Sequence, residues 1–189
     1  LKKYSKVFFL SENYVPGQLS LIDKNYVYEN DKPQQFHTLA LPFLNNMVDA
    51  AVADSTTLQV VSAYRSFGIQ SSLKASYKFT YGAGTANEFS ADQGYSEHQL
   101  GTTVDLTSPE ADEPFVGFQA TDAYQWLLNN AHRFGFVPSY PENNSYYQFE
   151  PWHWRFVGRG LATQLHNGGK YFYDLTQREL DEHLVNIFD

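Results

Sequence analysis

A chain of 189 residues with 42% hydrophobic and 18% charged residues suits one globular domain able to bury its own core, not a disordered chain. Its formal charge of -8 argues against nucleic acid or an anionic membrane surface as a partner, and no apolar run approaches the ~20 residues of a membrane span. With no cysteine, thiol catalysis, disulfides and Cys-type zinc sites are excluded, so any metal must rest on histidine and carboxylate.

Residues 1–38 read as an irregular or β-containing arm, with a turn at Val15-Pro16-Gly17 and a short strand at Tyr26-Val27-Tyr28. Val7-Phe8-Phe9-Leu10 is too short for a signal core. The chain starts at Leu1 and its one methionine is Met47, so the natural N-terminus is expected to lie upstream, where a signal or anchor could have stood. Residues 39–189 then form the main domain. A helix is predicted over Leu41–Asp54, with Pro42 in its first turn and Phe43, Met47, Ala50 and Ala51 at helical spacing. A strand at Leu58–Ser62 leads into Tyr64-Arg65-Ser66 and a second helix over Phe67–Phe79. Residues 80–95 read as a long loop, the kind that is usually functional or mobile. Thr102–Leu106 is a strand candidate, and Ser108–Phe118 an acidic loop.

Thr121–Phe134 is predicted helical, closed by Gly135 as a left-handed cap. Tyr146–Phe149 and Trp154–Val157 read as strands, with Phe136-Val137 starting another. Two short helices finish the chain, over Gly160–His166 and from Thr176, where Thr176-Gln177-Arg178-Glu179 is a capping box. Helices and short strands alternate without βαβ regularity. The expected class is α+β, with a small, mostly antiparallel sheet flanked by helices and a site in a cleft on the sheet.

Six histidines are available: His37, His98, His132, His153, His166 and His183. Two of them stand at useful spacing from a carboxylate. Asp105 follows His98 by seven residues, and a turn at Leu100-Gly101 would bring a strand from Gly101 back beside His98. Glu150 precedes His153 by three. A catalytic zinc wants three protein ligands and one open position, with a carboxylate nearby to take a proton. His98, Asp105 and His153 with Glu150 supply that set; the alternative is two unrelated polar turns flanked by aromatics. Glu97 adjoins a ligand but would point away from it on an extended chain.

The pattern Ser96-Glu97-His98-Gln99-Leu100-Gly101-Thr102-Thr103-Val104-Asp105, followed by Glu150-Pro151-Trp152-His153, resembles that of the VanY-type zinc D-Ala-D-Ala carboxypeptidases and the related LdcB-type L,D-carboxypeptidases. Tyr64-Arg65-Ser66 with Gln70, and Tyr140-Pro141, fit the same family. The likeness covers roughly residues 39–165. Thr103 before Val104 is a mild departure that removes no ligand.

The resemblance implies one zinc ion on His98, Asp105 and His153, with Glu150 as general base and proton shuttle. It implies that Arg65 polarises the carbonyl or stabilises the oxyanion. Ser96 would bind the substrate carboxylate, Gln70 would fix the peptide, and Trp152 could line the cleft. The expected activity is hydrolysis of the terminal D-alanine peptide bond of bacterial peptidoglycan stem peptides, in the cell envelope or outside the cell, by a monomer. The runners-up are an L,D-carboxypeptidase acting on tetrapeptide stems and a non-catalytic wall-binding module; the module would have no need of Glu150.

Overall fold

The computed structural model describes residues 10–81 and 91–183. Residues 82–90 of the predicted loop and the Val7–Phe9 part of the N-terminal apolar run lie outside the described residues. Two antiparallel sheets form. One pairs β1 (Leu19–Leu21) with β2 (Gln35–His37). The other has four strands in the order β3 (Gln59–Ser62), β4 (Thr103–Thr107), β6 (His153–Phe156), β5 (Phe136–Pro138), every pair antiparallel. The helices are α1 (Leu41–Ala53), α2 (Phe67–Tyr81), α3 (Asp122–Asn130), α4 (Arg159–Gly168) and α5 (Gln177–Asp181). The α+β architecture is therefore as expected.

Several local expectations change. The predicted strand at Tyr26–Tyr28 is instead a 3-10 turn at Lys24–Tyr26 followed by a single parallel bridge from Val27 to Val60. The predicted strand at Tyr146–Phe149 is absent: Asn144 Oδ1 takes the backbone N–H groups of Tyr146 and Tyr147, which commits that stretch to a turn. Helix α2 runs on to Tyr81, and the helix predicted over Thr121–Phe134 changes to 3-10 geometry at Ala131.

The period of two along the central strands sorts their residues. Val104 and Leu106 of β4 and Trp154 and Phe156 of β6 enter one hydrophobic core with Leu44, Met47, Val48 and Ala51 of α1 and Leu127 of α3. The alternate residues, Thr103, Asp105, His153 and Arg155, take the opposite face and are buried as well. That face adjoins a second core built from Tyr140, Val157, Leu161, Leu165, Phe172 and Tyr173. Ile22, Val27 and Phe36, from the first 38 residues, belong to the main core.

Helix ends follow local chemistry. Thr121 Oγ1 accepts from Tyr124 N–H at the start of α3, and Thr176 with Glu179 forms the predicted capping box. Gly135 closes the α3 region at φ +87, where a β-carbon would lie 2.7 Å from Phe156 Cε2 and 3.1 Å from the backbone nitrogen of Arg159. Gly135→Ala should therefore destabilise the fold by about 2 kcal/mol through backbone strain and overpacking. The expected fall in melting temperature is roughly 4–8 °C for a chain of this size, read by thermal unfolding; an unchanged transition would contradict that strain.

Candidate metal centre

The site begins in a turn. Residues Glu97–Leu100 form one 3-10 turn, entered from extended Ser96 and left through Gly101 at φ +72. A β-carbon at Gly101 would press on Leu19 Cδ2 at 3.0 Å and Pro16 Cγ at 3.1 Å. The N-terminal arm clamps this turn from outside. His37 N–H donates to the Gly101 carbonyl, and Gln99 Nε2 donates to the carbonyls of Ser11 and Tyr14.

The turn presents His98 to the end of β3, where His98 Nδ1 donates to the Ala63 carbonyl at 2.6 Å. That partner is a pure acceptor, so the hydrogen sits on Nδ1 and the lone pair on Nε2. Ala63 is held in turn by the arm, its N–H donating to Gln34 Oε1.

Asp105 and His153 meet by register, directly opposite each other in the β4–β6 ladder. His98 Nε2 lies 3.2 Å from Asp105 Oδ2, and His153 Nδ1 lies 3.3 Å from Asp105 Oδ1. One ligand atom from each of the three residues falls within a 4.8 Å group. A tetrahedral zinc with bonds of about 2.0–2.2 Å holds its ligand atoms about 3.3–3.5 Å apart; the two histidines approach different oxygens of Asp105, and one ion would draw together ligand atoms that already lie within 4.8 Å of one another. His98 Nε2 and Asp105 Oδ1 are buried without a hydrogen-bond partner. Unpaired buried polar atoms are costly, and a cation would satisfy both.

Glu150 reaches the same point through a tight turn in which His153 N–H donates to the Glu150 carbonyl. Its Oε2 stands 3.3 Å from His153 Nδ1, with the side chain 12% exposed. Arg65 follows β3, and its Nη2 lies 3.7 Å from Asp105 Oδ2.

Burial shapes the electrostatics. It pushes Glu150 up to about 7, and together with the Arg65 guanidinium it lowers His98 to about 4. Burial would also raise Asp105, but the neighbouring His98 and His153 outweigh it and hold that carboxyl well below its usual range. For His153 the sign reverses: burial disfavours its charge, yet the carboxylates of Asp105, Glu97 and Glu150 together push it up to about 10.

Glu97 departs most from its sequence expectation. The strand geometry that would have turned it away from the site does not occur; in the 3-10 turn its side chain is 0% exposed and points into the protein. Its Oε2 accepts from His153 Nε2 at 2.9 Å and from Ser139 Oγ at 2.7 Å. Its Oε1 accepts from Arg155 Nη1 at 2.7 Å and from Tyr173 OH. The signal available in sequence was a charged residue flanking a ligand; the partners that explain it lie 42 to 76 positions away.

The remaining candidates are placed as follows. Ser96 is buried at the head of the turn and does not cap it with its side chain. Gln70 is buried in α2 and its Nε2 donates to the Ala91 carbonyl, so that group braces the segment entering the site. Trp152 is half-buried and packs on Phe115 of the acidic loop, ring centroids 5.0 Å apart. The Tyr140 ring packs against the His153 imidazole at a tilt of 41°, centroids 4.7 Å apart. His132 and His166 stack on each other at 3.7 Å, and His132 lines a cavity of about 220 Å³ with Leu127 and Leu165 that no triad residue borders. Among the described residues, His98, Asp105 and His153 are the one group able to hold a metal.

Comparison with known proteins gives consistent relatives. The VanY family, D-alanyl-D-alanine carboxypeptidase, matches residues 33–159. A putative carboxypeptidase of Bacillus subtilis, YodJ, is 31% identical over 97% of this chain and 67% of its own length. A D-alanyl-D-alanine carboxypeptidase of Enterococcus faecalis is 34% identical over 68% of this chain and 50% of its own. The chain thus spans half to two-thirds of these curated relatives.

Among solved structures, the LdcB LD-carboxypeptidase superposes with TM-score 0.77 at 29% identity, covering 94% of this chain and 82% of that one. A vancomycin-resistance D,D-pentapeptidase VanY in complex with Zn(II) superposes with TM-score 0.66 at 28% identity, covering 96% and 99%. With its main motifs inside the matched region and its fold shared with these enzymes, the chain belongs to the VanY family of metallopeptidases, the D-alanyl-D-alanine carboxypeptidases.

Proposed function

We propose that this protein is a zinc-dependent carboxypeptidase that removes the terminal D-alanine from peptidoglycan stem peptides, with one zinc ion on His98, Asp105 and His153. The observation that carries this reading is the convergence of His98 Nε2, Asp105 and His153 Nδ1 on one point, with Glu150 beside it. Zinc, when bound, would acidify a water molecule and polarise the scissile carbonyl.

The chain's own groups supply the rest. Glu150, with a pKa of about 7, can take a proton from the attacking water and return it to the leaving amine. Arg65, 21% exposed at the edge of the cluster, offers a permanent charge to the developing oxyanion. Ser96, beside the ligand His98, is assigned to the substrate carboxylate, and Trp152, packed on Phe115, to the wall of the cleft. Gln70 supports the peptide through the segment it braces at Ala91. The wall-directed substrate implies action in the cell envelope or outside the cell.

A second reading, cleavage after an L-residue in tetrapeptide stems, is favoured by one observation: the superposition on the LdcB LD-carboxypeptidase has a higher TM-score than that on VanY, 0.77 against 0.66. D,D cleavage is preferred because the matching family and the Enterococcus faecalis relative are both D-alanyl-D-alanine carboxypeptidases.

Three outcomes test the proposal. Glu150→Gln should lower kcat by roughly 10²–10⁴-fold while zinc content by elemental analysis stays unchanged; near-normal turnover would remove Glu150 from proton transfer. Asp105→Ala or His98→Ala should lose zinc and activity together, and a chelator should inactivate the wild type until zinc is restored; a fully active chelated enzyme would end the metal reading. Incubation with pentapeptide and tetrapeptide muropeptides, followed by mass spectrometry, should show loss of one alanine from the pentapeptide alone. Loss from the tetrapeptide would favour L,D cleavage, and loss from neither would favour a binding module.

A further inference from the structure

The assignment of zinc to His98, Asp105 and His153 leaves Glu97 without a role, although it is the charged side chain most fully removed from solvent around the site. Burying a carboxylate costs free energy unless each oxygen is hydrogen-bonded and the charge is matched. Glu97 meets both conditions. Each of its oxygens accepts two donors: Oε2 from His153 Nε2 and Ser139 Oγ, Oε1 from Arg155 Nη1 and Tyr173 OH. A carboxylate accepts about four hydrogen bonds in all, so no capacity remains for substrate or metal. What it does instead is visible at His153. A hydrogen bond from Nε2 holds a proton there and turns Nδ1 toward Asp105 Oδ1 at 3.3 Å, as the nitrogen that would give up its proton to a metal.

The two histidines of the triad would therefore bind a metal through opposite nitrogens, each set by a different device. His98 is set by a backbone carbonyl close to it in the fold. His153 is set by a side chain that is itself held by three others. Arg155 shares a face of β6 with His153 and sits over the Phe172 ring at 4.4 Å. Phe172 and Tyr173 both lie in the 3-10 turn Phe172–Asp174, beyond the stretch that matches the family.

We infer that Glu97 is the positioning residue for the metal ligand His153, and that the Phe172–Asp174 turn, through Tyr173 and Phe172, completes the metal centre. This inference rests on the zinc assignment proposed above. Orienting partners of ligating histidines typically change metal affinity by about 10–100-fold when removed.

The test is zinc affinity of the full chain, measured by competition with a chromophoric chelator on variants that retain a cooperative melting transition. Glu97→Gln should weaken zinc binding by about 10–100-fold, and Tyr173→Phe and Ser139→Ala by roughly tenfold each. Leu165→Ala serves as the control: it loosens the same second core without touching the carboxylate, so its melting temperature should fall while zinc affinity stays within about twofold of wild type. If Glu97→Gln does not fold, Tyr173→Phe and Ser139→Ala decide. Wild-type affinity in the folded variants, or an equal loss in Leu165→Ala, would overturn the inference while leaving the zinc assignment intact. A wild-type chain that binds no zinc would overturn both.

Discussion

Asp105 and His153 stand opposite each other across the β4–β6 ladder, and the site depends on that register. A slip of either strand by one residue would send its member of the pair to the far side of the sheet, because successive strand residues alternate faces. The slip is resisted from the other side: Val104 and Leu106 of β4, or Trp154 and Phe156 of β6, would have to leave the main core at the same time. Hydrophobic packing on one face thus holds the polar geometry of the other to within a hydrogen-bond length. The metal ligands need no flexible loop to bring them together, except at His98, where a 3-10 turn and Gly101 perform the reversal.

The polar face concentrates Glu97, Asp105, Glu150, His98, His153, Arg65 and Arg155 in a small, largely buried volume. Such a cluster is tolerated when its members satisfy one another. Glu97 is the saturated member, each of its oxygens accepting two donors. Asp105 Oδ1 and His98 Nε2 lack partners, and the metal assignment rests on them. The contrast separates support from proposed chemistry: the carboxylate with every hydrogen bond met holds position, while the unpartnered acceptors face the point where a metal would sit. Glu150, whose pKa is raised mainly by burial, stands between the two.

Segments at both ends of the chain serve this arrangement. The arm reaches the His98 turn through His37 and the backbone around Ser11 and Tyr14, and reaches Ala63 through Gln34. The turn at Phe172–Asp174 reaches the other ligand through Tyr173 and Glu97. Neither segment carries a motif of its own. Their contribution is orientation, which needs only one well-placed donor or acceptor each.

The residues that converge at the candidate centre, His98, Asp105, His153, Glu150 and Arg65, were legible in the sequence because they lie in short, local patterns: Ser96 to Asp105, Glu150 to His153, and Tyr64 to Ser66. Helices α1 and α3, the cap at Gly135 and the capping box at Thr176 were legible for the same reason, since periodicity and caps act over a few residues. The strand expected at Tyr146–Phe149 failed because Asn144 captured the backbone locally, and β1 and β2 went unseen because three-residue strands leave almost no periodic signal. Glu97 could not be assigned from its neighbours: its four donors come from residues 139, 153, 155 and 173, and only the folded sheet brings them to one carboxylate. The sequence by itself determined which residue types could hold a metal and move a proton. The tertiary structure alone decided which nitrogen of each histidine faces the site, because a tautomer is set by a partner distant in the chain.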